Sequence, residues 1–193
     1  MRGLRLIKRL EEFGKYVVIT GFRNAKIGDV NSFFSLVREK VMDAEIQIFE
    51  ANLIATWEHL YFAALNASTA FNSSMNISNS LAMETLLYAS AQRQIDKAIG
   101  LLGMKSESRH LAVLIIANTL KEAESALKSL SELVSGECDD SVLELTDEKA
   151  GGIRRLFEIS DLELKSKLSR EKFEKEALVE LVIEHMALLA TRR

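Results

Sequence analysis

The chain has no proline, one cysteine and one tryptophan among its 193 residues. Average usage would supply roughly ten prolines; their absence removes rigid turns and proline-rich linkers, and no interdomain hinge is visible. The lone Cys138 excludes a disulfide framework and leaves too few thiolates for a structural zinc site. His59, His110 and His185 lie far apart and show no ligand spacing, so neither a metal nor a cofactor is expected. The most apolar windows, Ala112–Ala117 and Ala177–Ala190, fall short of the about 20 residues that span a bilayer. The opening MRGLRLIKRLEEFGKY lacks the apolar stretch and cleavage site of a secretory leader. The sequons at Asn66, Asn72 and Asn76 are therefore uninformative, and the reading is a cytoplasmic protein. A net charge of −3 argues against wrapping duplex DNA, where many phosphates need neutralising. It leaves room for a short single-stranded end.

What is present suits one folded unit over residues 1–193. Hydrophobic residues make up 48% and charged residues 27%, too apolar for disorder. The first fifteen residues are ambiguous: Leu4, Ile7 and Leu10 fit a short helix, while Leu4, Leu6 and the Gly14-Lys15 turn suit a hairpin arm. Strands are expected at Tyr16–Phe22, Glu45–Glu50 (with Ile46 and Ile48 inward), Leu111–Ala117 and Ser141–Leu145; the third, continuously apolar, is a central strand buried on both faces. Helices follow caps at Asp29, at Asn79 or Ser80, at Thr119 and at Thr146. Further helices cover 56–67 and 169–191, and Asn66–Asn79 reads as the longest loop. In the helix carrying Ile95, Ala98, Ile99 and Leu102, Gly103 occupies the position of a left-handed C-terminal residue. The fold class is α+β, a sheet of four or five short strands covered by several helices.

Catalytic motifs are absent: there is no phosphate loop, nucleophile elbow or His-Glu-x-x-His. Carboxylates on both sides of Cys138 oppose a thiolate and make it a poor nucleophile. Asp139-Asp140-Ser141 could ligate a hard cation or form a polar turn into a strand. His59 falls off the face set by Trp57, Leu60 and Ala64, which leaves it partly exposed and open to either a surface or a binding role. Arg93 and Gln94 open a helix whose first N–H groups can meet an anion; equally, Arg93 can pair with Asp96 one turn on. The final helix is apolar on more than one stripe. It is either wholly core or partly covered by another protein, with some of Val179, Ile183, Met186 and Leu189 expected on a surface exposed in the isolated chain.

Three segments then carry a resemblance. They are Asn79-Ser80-x-x-x-Glu84 with Ser90-x-x-Arg93-Gln94-Ile95-x-x-Ala98-Ile99-x-x-x-Gly103, Asp139-Asp140-Ser141-Val142-Leu143-Glu144, and Ala51–Leu60 with its His59. Together they resemble archaeal members of the PRPK-binding protein family, the CGI-type small subunit of the KEOPS (EKC) complex, from about Tyr16 onward. The resemblance implies a non-catalytic protein. It would bind the small atypical kinase of that complex, which is joined to the threonylcarbamoyl transferase subunit, and would grip the single-stranded 3′ CCA end of tRNA during threonylcarbamoyl-adenosine modification. Carried over by position, the implied RNA-contacting residues are His59, Asn79, Ser80 and Arg93, with Gln92 and Lys97 as neighbours. Trp57-Glu58 departs from the basic residues common there in related chains. Two rivals remain: a kinase-binding module without RNA contact, and a small enzyme using Arg93, His59 and Glu84.

Overall fold

Alternation of apolar residues along the strands divides the core in two. In the computed structural model, which describes residues 6–168 and 173–191, strands β1 (Leu6–Leu10), β2 (Lys15–Lys26), β3 (Ala44–Glu50), β4 (Leu111–Ala117) and β5 (Ser135–Cys138) form one antiparallel sheet. The order is β1-β2-β4-β3, with β5 also on β2. Every residue of β4 is buried, as a continuous apolar run in a central position requires. Val17, Ile19, Leu114 and Ile116 face one layer of helices, whereas Val18, Phe22, Val113 and Ile115 face the other.

The thinner layer holds α1 (Val30–Lys40) and α5 (Leu120–Leu133). Asp29 caps α1 by accepting from the Ser32 N–H at 2.8 Å. Thr119 and Glu122 form a reciprocal capping box on α5, which satisfies N–H groups that a helix start otherwise leaves orphaned. The thicker layer holds α2 (Trp57–Asn72), α3 (Leu81–Ala89), α4 (Ile95–Leu102), α6 (Asp147–Leu156), α7 (Asp161–Lys167) and α8 (Glu174–Ala187). No helix among the described residues is long and apolar enough to cross a membrane.

Four expectations are corrected. The chain from Asn66 to Asn72 continues α2 instead of forming a loop, because Ala67, Ser68 and Ala70 are small enough to be buried there. Ser141–Leu145 is not a strand: Asp140–Leu143 is a 3-10 turn, and the extra strand is Ser135–Cys138. Val142 and Leu143 are nonetheless buried, so their apolar character serves packing rather than a ladder. Gly103 is extended (φ −64°, ψ 147°) instead of left-handed, since it bridges to Phe49 of β3. A Cβ at Gly103 would lie 2.5 Å from the Ile99 carbonyl oxygen, which explains the glycine. The last helix begins at Glu174 and tightens to a 3-10 turn over Leu188–Thr191; residues 169–172 of that expectation lie outside the described residues.

β2 is the longest strand and has two neighbours in succession on one edge. Lys15–Ile19 pair with β1, and Phe22–Lys26 pair with β5. Between them, at Thr20 and Gly21, the 3-10 turn closes the edge. Asp140 Oδ1 accepts from the Thr20 hydroxyl at 2.7 Å and the Gly21 N–H at 2.9 Å, and the Asp139 N–H donates to the Gly21 carbonyl at 2.9 Å. A Cβ at Gly21 would sit 2.3 Å from Val142 Cγ2 and 2.7 Å from the Asp139 carbonyl oxygen. The turn reading of Asp139-Asp140-Ser141 is the one observed.

Candidate functional site

The residues selected by sequence gather around both ends of α3. At its start, the Ser80 hydroxyl accepts from the Met83 N–H at 3.3 Å and donates to Glu45 Oε2 at 3.2 Å. Glu45 Oε2 also accepts from the Ala82 N–H at 3.2 Å. A β3 side chain thereby ties the helix start to the sheet, and Ser80 is committed to that joint. Asn79 is exposed beside it. Behind the loop, Glu84 is 0% exposed and accepts from the N–H groups of Ile77 at 3.0 Å and Ser78 at 2.8 Å. A buried carboxylate is tolerable there because two donors and the positive end of α3 compensate it. Glu84 therefore builds the loop and is not placed to act as an acid or base on a substrate.

At the far end of α3 the chain turns sharply. Ala91 takes φ 51°, a left-handed conformation uncommon for a residue with a Cβ, while the Ala91 and Gln92 N–H groups donate to the Tyr88 and Leu87 carbonyls at 2.9 Å and 3.0 Å. Gln94, not Arg93, is the cap residue of α4, so Arg93 lies in the connecting turn and does not open the helix. Arg93 and Lys97 are exposed and Gln92 is half-buried. Burial raises the pKa of the Tyr88 hydroxyl, Glu84 adds to this, and the charge of Arg93 opposes it, which places the guanidinium near that ring. Asn79 and Ser80 thus stand about 13 Å from the Gln92–Arg93 turn, the length of a nine-residue helix such as α3.

His59 is not on this surface. It is 0% exposed, contrary to the helical-wheel expectation, because α2 is covered by α3 on one side and by α8 on another, with Phe157, just past α6, against the ring. Its Nδ1 accepts from the Ala55 N–H at 3.2 Å, and its Nε2 lies 2.8 Å from the Ala89 carbonyl oxygen. A backbone N–H facing Nδ1 and a carbonyl facing Nε2 dictate the neutral Nε2–H tautomer. Burial pushes its pKa down to about 4; the Ala89 bond opposes this and the charge of Lys149 reinforces it. The ring also meets Phe157 edge-on at 5.6 Å. His59 is a buried link between the start of α2 and the end of α3, out of reach of an RNA end at the surface.

Lys149 escaped the sequence reading. Its buried ammonium donates to the carbonyls of Val142 at 3.0 Å and Glu144 at 3.1 Å, and burial lowers its pKa to about 8. It fixes the 3-10 turn against α6. In sequence only its place one turn inside a cap distinguished it. Among the described residues, no group of three or more His, Cys, Asp or Glu is arranged to hold a metal ion.

The four residues considered for a surface, Val179, Ile183 and Met186 on α8 and Leu189 on the 3-10 turn after it, separate. Met186 and Leu189 are 0% and 1% exposed and belong to the core, because α8 lies across α2 and α7. Val179 and Ile183 are half-buried at its margin. Phe62 and Leu65 of α2, the helix against which α8 packs, are half-buried as well.

Comparison with known proteins bears on these surfaces. The family model described as kinase binding protein CGI-121 matches residues 26–190. A regulatory protein Cgi121 of Methanocaldococcus jannaschii is 34% identical over 165 residues, spanning 86% of this chain and 98% of its own length. A match running from the last residue of β2 to the 3-10 turn after α8 takes in both helical layers and strands β3, β4 and β5, and the chain belongs to the CGI-121 family of kinase-binding proteins.

Proposed function

We propose that this chain is a cytoplasmic, non-catalytic KEOPS subunit, one domain over its whole length, that binds the small atypical kinase of the complex. Through that kinase it meets the threonylcarbamoyl transferase subunit, and it presents the 3′ CCA end of tRNA for modification. The kinase part rests on the family match over residues 26–190. Its surface is the margin of α8, where Val179 and Ile183 keep apolar area that a partner can cover, while Met186 and Leu189 act from beneath. Changing Val179 and Ile183 together to Asp leaves a folded monomer and abolishes binding to the host's kinase in titration calorimetry. Met186→Asp instead unfolds the chain. Full kinase affinity in the folded double variant places the interface elsewhere.

The RNA part uses Asn79 at one end of α3 and Gln92, Arg93 and Lys97 at the other, with Ser80 fixing the first and His59 bracing the second from inside. Few cations are needed, because an unpaired end is held by stacking and a handful of polar contacts. Arg93→Glu reverses a charge at an exposed turn and lowers affinity for intact tRNA with no change in melting. Equal affinity of the wild type for tRNA with and without its CCA end favours a kinase-binding module that does not touch RNA. Turnover of a nucleotide or RNA by the pure chain overturns the non-catalytic reading.

A further inference from the structure

β3 is an edge strand: β4 pairs with one side of it, and on the other its only bridge among the described residues is Phe49 with Gly103. Along that free side runs a groove of about 620 Å³ whose floor includes all five residues from Ala44 to Ile48. Successive strand side chains point to opposite faces, so five consecutive residues share a groove only through their backbone edge. One wall is α1, through Val30, Phe34 and Arg38; the other is α3 and α4, through Met83, Leu86 and Ile99. Ile99 is 43% exposed, and Val30, Phe34, Ile46 and Met83 are only half-buried.

Exposed edges are usually blunted by proline, lysine or a bulge, since their unpaired N–H and C=O groups recruit other strands. β3 has none of these: its sequence is AEIQIFE and its register with β4 is unbroken from Ala44 to Glu50. Its protection is the flanking α1, α3 and α4, which narrow access to the groove, and the Gln47 side chain, whose Nε2 donates to the Ile48 carbonyl at 3.2 Å. We infer that this slot receives an extended segment of a partner polypeptide, which adds a strand to β3. Its chemistry follows from the walls. Both are mainly apolar, with Asn31, Arg38 and Ser80 the polar exceptions, so the added strand carries a near-continuous apolar run, as strands buried on both faces do. Glu45 is already bound to Ser80 and Ala82, whereas Arg38 is exposed with no ion pair among the described residues; an acidic residue beside the run answers it. Five residues of edge extend about 17 Å.

Two other occupants fit less well. A second copy offering its own β3 is blocked, because that edge is likewise recessed between helices. A nucleic-acid end would find one aromatic ring, Phe34, and one cation, but would leave the strand's backbone groups unpaired. The groove takes no residue from α8, so the inference stands apart from the kinase surface.

The test exposes the immobilised full chain to a positional-scanning library of capped heptapeptides and follows amide hydrogen exchange with the selected peptide bound. Expected are enrichment of β-branched and aromatic runs flanked by Asp or Glu, and slowing of alternate amides within Ala44–Ile48. N-methylating alternate peptide bonds of the selected sequence weakens binding at least about tenfold, the equivalent of one or two hydrogen bonds. Arg38→Glu shifts the flanking preference to Lys or Arg, and the Val179/Ile183 double variant binds the peptide unchanged. No enriched sequence, unaltered β3 exchange or indifference to N-methylation each overturns strand addition. Protection of these amides by a CCA trinucleotide, with no peptide effect, assigns the slot to nucleic acid instead.

Discussion

Acidification tests the environment of His59 directly. Its ring is enclosed, Nδ1 is occupied by the Ala55 N–H, and its folded pKa is about 4. In the unfolded chain a histidine titrates near 6.5. Between these values the unfolded state binds the proton and the folded state does not, so stability rises with pH. The contribution is complete above about pH 6.5 and is lost as pH falls toward 4, about 3 kcal/mol across the window. Between pH 7 and pH 5 alone the loss is about 2 kcal/mol. The lowered carboxylates, such as Asp29, Asp139 and Asp161, act below this range, and Lys149 near 8 acts above it. Urea unfolding at pH 7, 6 and 5 should show that slope in the wild type and its absence in His59→Gln. Should the variant fail to fold, the wild-type ring resonances suffice, staying unprotonated at pH 5. A flat wild-type profile, an equal slope in both proteins, or a ring that titrates near 6.5 refutes the reasoning.

Glu84→Ala strands the Ile77 and Ser78 N–H groups and should cost about 2–3 kcal/mol, with faster exchange at both amides; an unchanged loop would mean that Glu84 does not hold it. Gly21→Ala forces a methyl group into Val142 and the Asp139 carbonyl and should destabilise by about 1–3 kcal/mol. Trimming Val142 to Ala in the same chain should make the two losses less than additive, and strict additivity in chemical denaturation would show that the close approach is not the cause.

Legibility followed how local each signal was. Asp29, Ser80, Thr119 and Thr146 all cap helices as their side chains announce, because a cap is decided within four residues. Leu111–Ala117 was equally plain. β5, in contrast, is Ser-Gly-Glu-Cys with all four residues exposed, and only its pairing with distant β2 makes it a strand. The helix α7 carries a Ser160–Glu163 capping box that was a usable but overlooked sign. For the site, Asn79, Arg93 and Lys97 are exposed. His59 and Met186 were not legible, because their burial comes from helices arriving from elsewhere in the chain, which a wheel drawn on one helix cannot register.

The shared edge of β2 also orders events during synthesis. Its first neighbour, β1, is made before β2, but its second neighbour and the carboxylate that closes the gap lie about 115 residues downstream. A nascent chain released only through α5 can pair Lys15–Ile19 on this edge and nothing beyond. Until residues 135–143 emerge, the Thr20–Lys26 half stays open, and the closure of such a long loop is slow relative to local folding. Completion of the sheet therefore waits on residues 135–143, and truncations ending before them should collect as partly folded, strand-seeking species.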